Sequence, residues 1–288
     1  MDIERIDDTG FGAIRVIQKE GLGYGVDAVL LAAFAAGETG ASGLKAQAHA
    51  SRHKADSTLR LADLGSGSGI IGMILVHKLP YVKVLGIEKR ADAVDRARRA
   101  AELSHIEDRI EFICADVSDI FGLAEPEIEE LGNAAIKNVA IENAAIENAP
   151  NTRKLEGCFD AVVSNPPYFR RAAAIPSQTA DKYIARHETT ADIYEWMKAS
   201  AQLLKPGGDV YLVHRPDRLP DIYEAMRQAG IEPRELQAVM PHPNEAANIV
   251  LIHGIKGAGR EHRILAPIAV HEANGEYTEL IQRIYERK

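Results

Sequence analysis

Short apolar runs alternate with amphipathic stretches from Leu59 onward, and this alternation limits the possible folds more than any other feature. Each apolar run has the length of a buried strand, and each stretch between them has the spacing of a helix with one apolar face. The predicted strands are Arg60–Leu64, Val82–Glu88, Arg109–Cys114, Phe159–Ser164 and Asp209–His214. The predicted helices are Ile70–Lys78, Ala91–Ser104, Ala191–Leu204 and Arg218–Ala229. This order predicts an α/β fold with a mostly parallel sheet and helices on both faces.

Two further strands, Arg234–Met240 and Ala247–Ile255, are predicted after the alternating region. The short loop Pro241–Ala246 between them suits an antiparallel pair. Lys205-Pro206-Gly207-Gly208 predicts a turn before the fifth strand, because proline and glycine end helices and favour turns. The sheet is therefore expected to contain seven strands, with the last one antiparallel.

Two stretches interrupt this pattern. Gly37–Thr58 is rich in Ala, Ser, Gly and Lys, which is typical of a mobile loop. Gly122–Gly157 is acidic and holds three copies of a five-residue repeat, a period that fits neither helix nor strand. We expect residues 1–58 to form an N-terminal segment and residues 59–288 to form one domain. A partly disordered surface insertion is expected at about 122–157.

The composition argues against several classes of protein. A formal net charge of -8 argues against a surface that binds phosphate throughout, although a local basic patch is compatible with it. Cys114 and Cys158 lack metal-site spacing, and we interpret them as reduced thiols in a cytosolic protein. The segment from Met1 to Asp8 lacks the apolar core of a signal peptide, and no apolar run reaches membrane-spanning length. We therefore expect a cytoplasmic protein with no membrane segment and no metal ion.

A glycine-rich loop, Asp63-Leu64-Gly65-Ser66-Gly67-Ser68-Gly69, joins the first predicted strand to the first predicted helix. Glycines allow a tight turn close to a ligand, and the helix start offers unpaired N–H groups. We expect Gly65, Gly67 and Gly69 to contact a cofactor. The stretch Gly67–Gly72 also matches the dinucleotide fingerprint, and Glu88 lies where a ribose-binding acid belongs. On its own, the loop is therefore compatible with a nicotinamide enzyme.

Acidic residues near the ends of three predicted strands favour S-adenosylmethionine instead. A carboxylate at Asp63 would repel a pyrophosphate, whereas it would attract the ammonium group of a methionine. Asp116 follows the third strand, where it can accept a hydrogen bond from an adenine amine. Nothing between Asp116 and the fifth strand resembles a site for hydride transfer.

Asn165-Pro166-Pro167-Tyr168 ends the fourth strand, because two prolines cannot donate hydrogen bonds to a sheet. The carboxyl ends of strands are where open α/β sheets bind their ligands. The Asn165 amide oxygen and the Pro166 carbonyl can accept two hydrogen bonds from one planar amine. The Tyr168 ring can stack on the flat group that carries this amine. We predict these four residues as the catalytic motif, and Asn165 as a neighbour of the cofactor.

These motifs together resemble the class I S-adenosylmethionine-dependent methyltransferases that methylate amines and carry N-P-P-Y. Three further blocks are similar to the bacterial tRNA(Val) adenine-N6 methyltransferase family: Gly23–Phe34, Ala185–Glu188 and Val213–Leu219. The resemblance implies a Rossmann-like fold, S-adenosylmethionine as cofactor and methyl transfer to N6 of an adenine in tRNA or another structured RNA. It also implies that the N-terminal segment flanks the cofactor, which makes Tyr24 and Asp27 candidate cofactor neighbours. The insertion departs from the family pattern.

Basic residues follow the catalytic motif closely. Four of them, Arg170, Arg171, Lys182 and Arg186, are candidate contacts to RNA phosphates. Trp196 lies in a predicted amphipathic helix, where we expect it to be part of the core. The chain is expected to act as a monomer.

Other functions stay open on the sequence alone. Release-factor glutamine methyltransferases share N-P-P-Y, but they carry a helical substrate-binding domain before the glycine loop. Here only about sixty residues precede Asp63, and many of them look like loop. A nicotinamide-binding oxidoreductase would use the Gly67–Gly72 fingerprint, and a non-catalytic binding protein would only retain the fold.

Overall fold

The computed structural model describes residues 4–19, 23–45, 58–119, 124–125, 153–167 and 193–287. The strands are β1 (Glu4–Asp8), β2 (Arg15–Lys19), β3 (Leu59–Leu64), β4 (Val82–Glu88), β5 (Ile110–Cys114), β6 (Ala124–Glu125), β7 (Arg153–Lys154), β8 (Phe159–Ser164), β9 (Leu204–His214), β10 (Ile231–Met240), β11 (Ile249–Lys256), β12 (Arg263–Ile264) and β13 (Ile268–Ala269). The helices are α1 (Val26–Ala36), α2 (Ile70–Lys78), α3 (Ala91–Leu103), α4 (Ile193–Leu203), α5 (Leu219–Gln228) and α6 (Glu279–Ile284).

The central sheet is mixed and mostly parallel. Within the described residues it has nine strands in the order β12-β10-β11-β9-β8-β3-β4-β5, with β13 also paired to β10. Strand β11 runs antiparallel to both β9 and β10, while β3, β4, β5, β8 and β9 pair in parallel. The predicted fold class is therefore confirmed. The seven predicted strands correspond to β3, β4, β5, β8, β9, β10 and β11. The two further strands, β12 and β13, have two residues each and pair with β10.

Helices cover both faces of the sheet. Successive strand residues point to opposite sides, and the strands carry apolar residues on each side that the helices bury. On one face, Leu61, Val84 and Phe112 join a core shared with α1, α2, α3 and α6. On the other face, Leu64 and Ile87 join a core shared with α4 and α5. None of the helices in the described ranges has the length and apolar character needed to cross a membrane.

The N-terminal segment contributes a hairpin and a core helix, which the sequence analysis did not assign. Strands β1 and β2 pair antiparallel, and Val16 and Ile17 of β2 are buried. Helix α1 is buried at every position from Ala28 to Ala36 and ends at Gly37, whose φ of 84° is left-handed. The helix therefore provides a fixed support beside the sheet.

The stretch Gly37–Thr58 is described only at residues 37–45 and 58. Leu44 is fully buried, and Ser42 donates from its N and Oγ to Glu235 at 2.8 and 2.9 Å. This part of the stretch therefore packs on the sheet. The mobility expected for the rest stays a prediction.

The turn predicted at Lys205–Gly208 lies inside a strand rather than before one. Strand β9 already begins at Leu204, which pairs with Phe159, whereas Asp209 pairs with Ala161. The residues between Leu204 and Asp209 therefore bulge out of the ladder. The physical reason is that a bulge can absorb the proline and glycines while pairing continues on both sides.

The predicted insertion lies mostly outside the described residues. Strands β6 and β7 lie inside its predicted bounds and pair antiparallel, so residues 125 and 153 lie next to each other. A segment with adjacent ends fits a surface excursion. Leu155, inside the predicted bounds, is 1% exposed and belongs to the core shared with α4, so this end of the segment is not a surface insertion. For the remaining residues, independence from the core stays a prediction.

Candidate active site

The glycine loop is fixed to the neighbouring strand by its own backbone. Gly65 and Ser66 both donate from N to the Ile87 carbonyl, at 2.8 and 3.1 Å, and Gly69 N donates to Ser66 O at 2.8 Å. Gly69 caps α2 with a φ of 78°, a left-handed conformation that favours glycine. The loop is therefore held in one shape at the carboxyl end of β3.

The predicted glycines of this loop have different surroundings. A Cβ at Gly69 would overlap the Phe112 ring, and one at Gly65 would lie 2.9 Å from Cζ2 of Trp196. A Cβ at Gly67 would meet nothing within 4 Å. Gly65 and Gly69 are thus required by packing, whereas Gly67 borders open space that a ligand can occupy.

Asp63 is fully buried beneath this loop. Its Oδ2 accepts a hydrogen bond from Gly72 N at 3.0 Å, while its Oδ1 has no hydrogen-bond partner among the described residues. Burial raises the pKa of this carboxyl to about 7; the Gly72 N–H opposes the rise, and the charge of Glu88 adds to it. Asp63 therefore holds the first turn of α2 and keeps one buried oxygen unpaired.

Glu88 at the end of β4 supports the same loop. Its Oε2 accepts from Gly67 N at 2.9 Å, and its Oε1 accepts from Arg90 N at 3.0 Å. Each carboxylate oxygen can accept a further hydrogen bond. The predicted contact with a ribose thus stays possible in geometry and remains a prediction.

Asp116 lies just after β5. Its Oδ2 is 2.7 Å from Nζ of Lys89, and its Oδ1 accepts from both N and Oγ of Ser118 at 3.0 Å. Partial burial raises the pKa of Asp116, but the Lys89 and Ser118 hydrogen bonds outweigh it and lower the pKa overall. A carboxylate oxygen that already has a partner can accept a further hydrogen bond. The predicted hydrogen bond from an adenine amine to Asp116 therefore also remains a prediction.

The end of β8 is tied to both cores. Ser164 Oγ donates to the Leu64 carbonyl at 2.7 Å and accepts from Nε1 of the buried Trp196 at 2.6 Å. The next residue, Asn165, donates from Nδ2 to Oδ2 of Asp27 at 3.2 Å. The structure therefore brings the catalytic motif and the N-terminal block into direct contact.

The remaining predicted site residues divide into described and undescribed ones. Pro166 is buried and Pro167 is exposed at the strand end, and Tyr24 is half-buried against the core below α1. Burial raises the pKa of the Tyr24 hydroxyl. Tyr168 and the four candidate phosphate contacts, Arg170, Arg171, Lys182 and Arg186, lie outside the described residues.

Three supporting residues were missed by the sequence analysis. Ser164 and Phe112 position the motif and the loop, and Gly86 in β4 makes room for Phe112 because a Cβ there would overlap its ring. A glycine inside a strand signals such close approach, so Gly86 could have been found. Trp196 was predicted to be core, which its 7% exposure confirms, but its ring N–H also holds Ser164.

Residues 82–227, about half the chain, match the model of the Eco57I restriction-modification methylase family. The chain belongs to this family. It is 30% identical over 218 residues to a tRNA1(Val) (adenine(37)-N6)-methyltransferase of Porphyromonas gingivalis, covering 75% of this chain and 64% of that protein. A protein of the same name from a second strain of that species matches at 30% identity over 56% of this chain and 51% of the relative. The chain thus spans about half to two thirds of the length of these two relatives.

Two other matches extend over more of both chains. A tRNA1(Val) (adenine(37)-N6)-methyltransferase of Bacteroides fragilis is 25% identical, with 80% of this chain and 84% of the relative covered. The crystal structure of a predicted O-methyltransferase from Agrobacterium tumefaciens has a TM-score of 0.58 and 22% identity, covering 90% of this chain and 95% of that one. This last likeness supports the fold alone.

The family match confirms the predicted methyltransferase, and the Agrobacterium structure agrees with the predicted class I fold. S-adenosylmethionine is the cofactor predicted for this class. The residues present fit that cofactor. The loop is open at Gly67, and the unpaired Oδ1 of Asp63 is a buried acceptor suited to a positively charged ligand. The methyltransferase interpretation therefore replaces the nicotinamide alternative.

Proposed function

We propose that this protein methylates N6 of an adenine in tRNA, with S-adenosylmethionine as the methyl donor. The observation that carries the proposal is the position of Asn165-Pro166 at the end of β8, beside the glycine loop. Relatives that cover most of this chain and are named tRNA adenine-N6 methyltransferases support the choice of substrate.

The chemistry requires a better nucleophile than a free adenine amine, whose lone pair is delocalised into the ring. Asn165 Oδ1 and the Pro166 carbonyl accept hydrogen bonds from the two N–H groups of the amine. These hydrogen bonds favour a tetrahedral nitrogen and stabilise the positive charge that develops on it. The cofactor supplies an electrophilic methyl group on a sulfonium.

As the bond from N6 to the methyl group forms, the bond from sulfur to that group would break and S-adenosylhomocysteine would leave. The methylated nitrogen, now positively charged and acidic, would release one proton to water, so no dedicated general base is required. Alignment of the two reactants contributes on the order of 7–11 kcal/mol.

Within this proposal, Tyr24 of the N-terminal block and the strand-end acids hold the cofactor. Glu88 accepts from its ribose, Asp116 accepts from its adenine amine, and Asp63 attracts its ammonium group. Gly65, Gly67 and Gly69 leave the backbone close to it, and Tyr24 lies beside it. Each of these roles is a proposal that binding measurements on single variants can test.

The RNA side of the proposal rests on residues beyond the described ranges. Tyr168 would stack on an adenine turned out of the RNA, which is how enzymes commonly reach a nucleobase. Arg170, Arg171, Lys182 and Arg186 would contact its phosphates. We further propose that the protein acts in the cytoplasm, as a monomer and without a metal.

Methyl transfer to unmodified tRNA tests the proposal. The protein is incubated with S-adenosylmethionine labelled in its methyl group and either an unmodified tRNA pool or a purified release factor. Nuclease digestion of the RNA should yield labelled N6-methyladenosine, and the release factor should stay unlabelled. Label on a glutamine of the release factor would instead establish the rival protein methyltransferase, and binding of NAD without S-adenosylmethionine would overturn both.

A further inference from the structure

The amide of Asn165 is held by a residue that lies far from it in sequence. Asp27 is 138 positions earlier, yet its Oδ2 accepts the hydrogen bond from Asn165 Nδ2 at 3.2 Å. Its other oxygen, Oδ1, accepts from Ala28 N at 3.0 Å. The carboxylate is therefore fixed at both ends, one on its own helix and one on the catalytic motif.

This contact decides which way the Asn165 amide faces. The nitrogen and oxygen ends of an amide have nearly the same shape, but only the oxygen can accept a hydrogen bond from a substrate amine. A carboxylate has no proton to donate, so it pairs with the nitrogen end alone. Once Nδ2 is committed to Asp27, Oδ1 is left for the acceptor amine.

Asp27 stands on a support that suits a positioning role. It lies in the first turn of α1, where the unpaired N–H groups and the helix dipole favour a negative charge. The rest of the helix, from Ala28 to Ala36, is no more than 4% exposed. A group held on a packed helix keeps its geometry better than one on a loop.

Gly25 makes room for this carboxylate. Its φ of -95° and ψ of 173° are open to any residue, so the backbone does not require glycine there. A Cβ at this position would overlap Oδ1 of Asp27. The glycine is thus explained by the place that the carboxylate occupies.

We propose that Asp27 is a positioning residue, which orients the Asn165 amide so that its oxygen receives the substrate amine. This inference rests on the proposed function, and it differs from the expectation that Asp27 is a neighbour of the cofactor. If Asp27 acts through Asn165, its loss affects the transfer step and leaves cofactor binding unchanged.

A double-mutant cycle separates the two roles. Asp27→Ala should lower the single-turnover methylation rate about tenfold or more, because it frees the amide to turn, while the dissociation constant for S-adenosylmethionine stays within about twofold of wild type. In the Asn165→Ala background the same change should cause no further loss. A weakened cofactor affinity, with equal loss of rate in both backgrounds, would overturn the proposal and establish Asp27 as a cofactor ligand.

Two milder variants refine this result. Asp27→Asn should fall between wild type and Asp27→Ala, because its side chain can accept from Nδ2 or donate to Oδ1 of Asn165. Gly25→Ala should lower the rate with unchanged cofactor affinity, since it displaces the carboxylate while leaving Asp27 in place. A wild-type rate in Gly25→Ala together with a wild-type rate in Asp27→Ala would contradict the proposal.

The side-chain amide signals of Asn165 provide a readout that does not depend on activity. In a sample labelled with nitrogen-15 at asparagine, these signals are identified by their loss in Asn165→Ala. They should shift in Asp27→Ala and in Gly25→Ala; unchanged signals would overturn the positioning role. If the signals shift but tRNA is not methylated by the wild type, the positioning stands and the proposed substrate fails.

Discussion

Two regions of the protein each bury a carboxylate. The glycine loop covers Asp63, and the far edge of the sheet, formed by β10 and β11, buries Glu235. The surroundings of these two carboxylates shift their pKa values in opposite directions. Beneath the loop, Asp63 has one hydrogen-bond donor, and burial raises its pKa to about 7. At the far edge, burial would also raise the pKa of Glu235, but contacts with His253, Ser42 and Arg263 outweigh it and lower the pKa to about 2. Burial alone therefore does not decide the charge of a group; its partners do.

At the far edge, Glu235 has more hydrogen-bond partners than Asp63, although Nδ1 of His253 makes no hydrogen bond among the described residues. His253 lies 2.6 Å from Asp209 and 3.4 Å from Glu235, and its ring stacks on Tyr211. Burial lowers the pKa of His253, but the contacts with Asp209 and Glu235 outweigh it and raise the pKa overall. The Tyr211 hydroxyl also donates to the Ser42 carbonyl at 3.0 Å. These contacts form a network that fastens the segment after α1 to the sheet, which is a structural role.

The glycine loop is left incomplete by comparison. A buried carboxyl with an unpaired oxygen costs stability, and such costs are found where a ligand completes the site. We propose that Asp63 is kept for binding, whereas the contacts of Glu235 serve the fold. Variants of Glu235 should therefore lose stability, whereas Asp63→Asn should gain stability and lose cofactor affinity.

The largest expected effect is a loss of stability at the far edge. Glu235→Ala should lower the free energy of unfolding by about 3–5 kcal/mol, because it leaves the buried His253 ring without this partner and removes both hydrogen bonds from Ser42. Urea titration measures the loss. Glu235→Gln, which keeps the shape but not the charge, should lose less than Glu235→Ala, because its amide oxygen still accepts hydrogen bonds from Ser42. A stability equal to that of the wild type in both variants would show that the network is not structural.

Asp63→Asn should give the reverse pattern. At pH 8 it should raise the free energy of unfolding by about 1–3 kcal/mol, since it removes a buried charge at the expense of an unpaired amide. Its affinity for S-adenosylmethionine should fall by about 1–3 kcal/mol, the loss expected for a hydrogen bond to a charged group. Calorimetric titration checks the affinity. A variant that is less stable but binds normally would reverse the assignment of roles.

The sequence predicted the bounds of the strands and helices more accurately than the contacts within the candidate site. Strands β4 and β8 and helix α2 begin and end where predicted, because local periodicity and flanking turns define them. Helix α1 was not assigned, since a helix buried on all sides has no polar face to give a periodic signal. The six-residue helix α6 is too short to give a clear pattern.

Contacts between distant residues could not be read from the sequence. The sequence correctly placed three of the predicted residues side by side, because the parallel strands β3, β4 and β8 end together: Asp63, Glu88 and Asn165. The pairing of Asn165 with Asp27 depends on how α1 packs against the sheet, and no local pattern encodes it. Part of the contrast between Asp63 and Glu235 likewise comes from a distant partner, because Ser42 lies 193 positions before Glu235.

The pH dependence of stability should sharpen the contrast further. The pKa of Asp63 is raised on folding, so its penalty is full above about pH 7 and disappears as the pH falls to 3.8. The pKa of Glu235 is lowered, so its contribution is full above pH 4.5 and is lost as the pH falls towards 2. The excess stability of Asp63→Asn over wild type should therefore vanish between pH 8 and pH 4. Over the same range down to pH 4.5, the deficit of Glu235→Gln should grow as the pH falls and His253 becomes protonated, because Glu235 raises the pKa of that ring. Parallel curves for the two variants would contradict the pKa assignments.

The smallest expected effect on stability is at Gly67. Its φ of 55° makes Gly67→Ala cost about 1–2 kcal/mol, although the added Cβ meets no other atom. The same Cβ enters the open side of the loop, so cofactor affinity should fall. Normal binding of S-adenosylmethionine by this variant would place the cofactor elsewhere.

The central claim is that chemistry takes place at the end of β8, and single-turnover methylation of unmodified tRNA at saturating cofactor tests it most directly. Asn165→Ala should lower the rate by about 100-fold or more, as for the loss of one preorganised partner of the transition state, with unfolding unchanged. Glu235→Gln, measured at a temperature where it remains folded, should retain the wild-type rate. A rate near wild type in Asn165→Ala would contradict the account and place the reaction at another part of the protein.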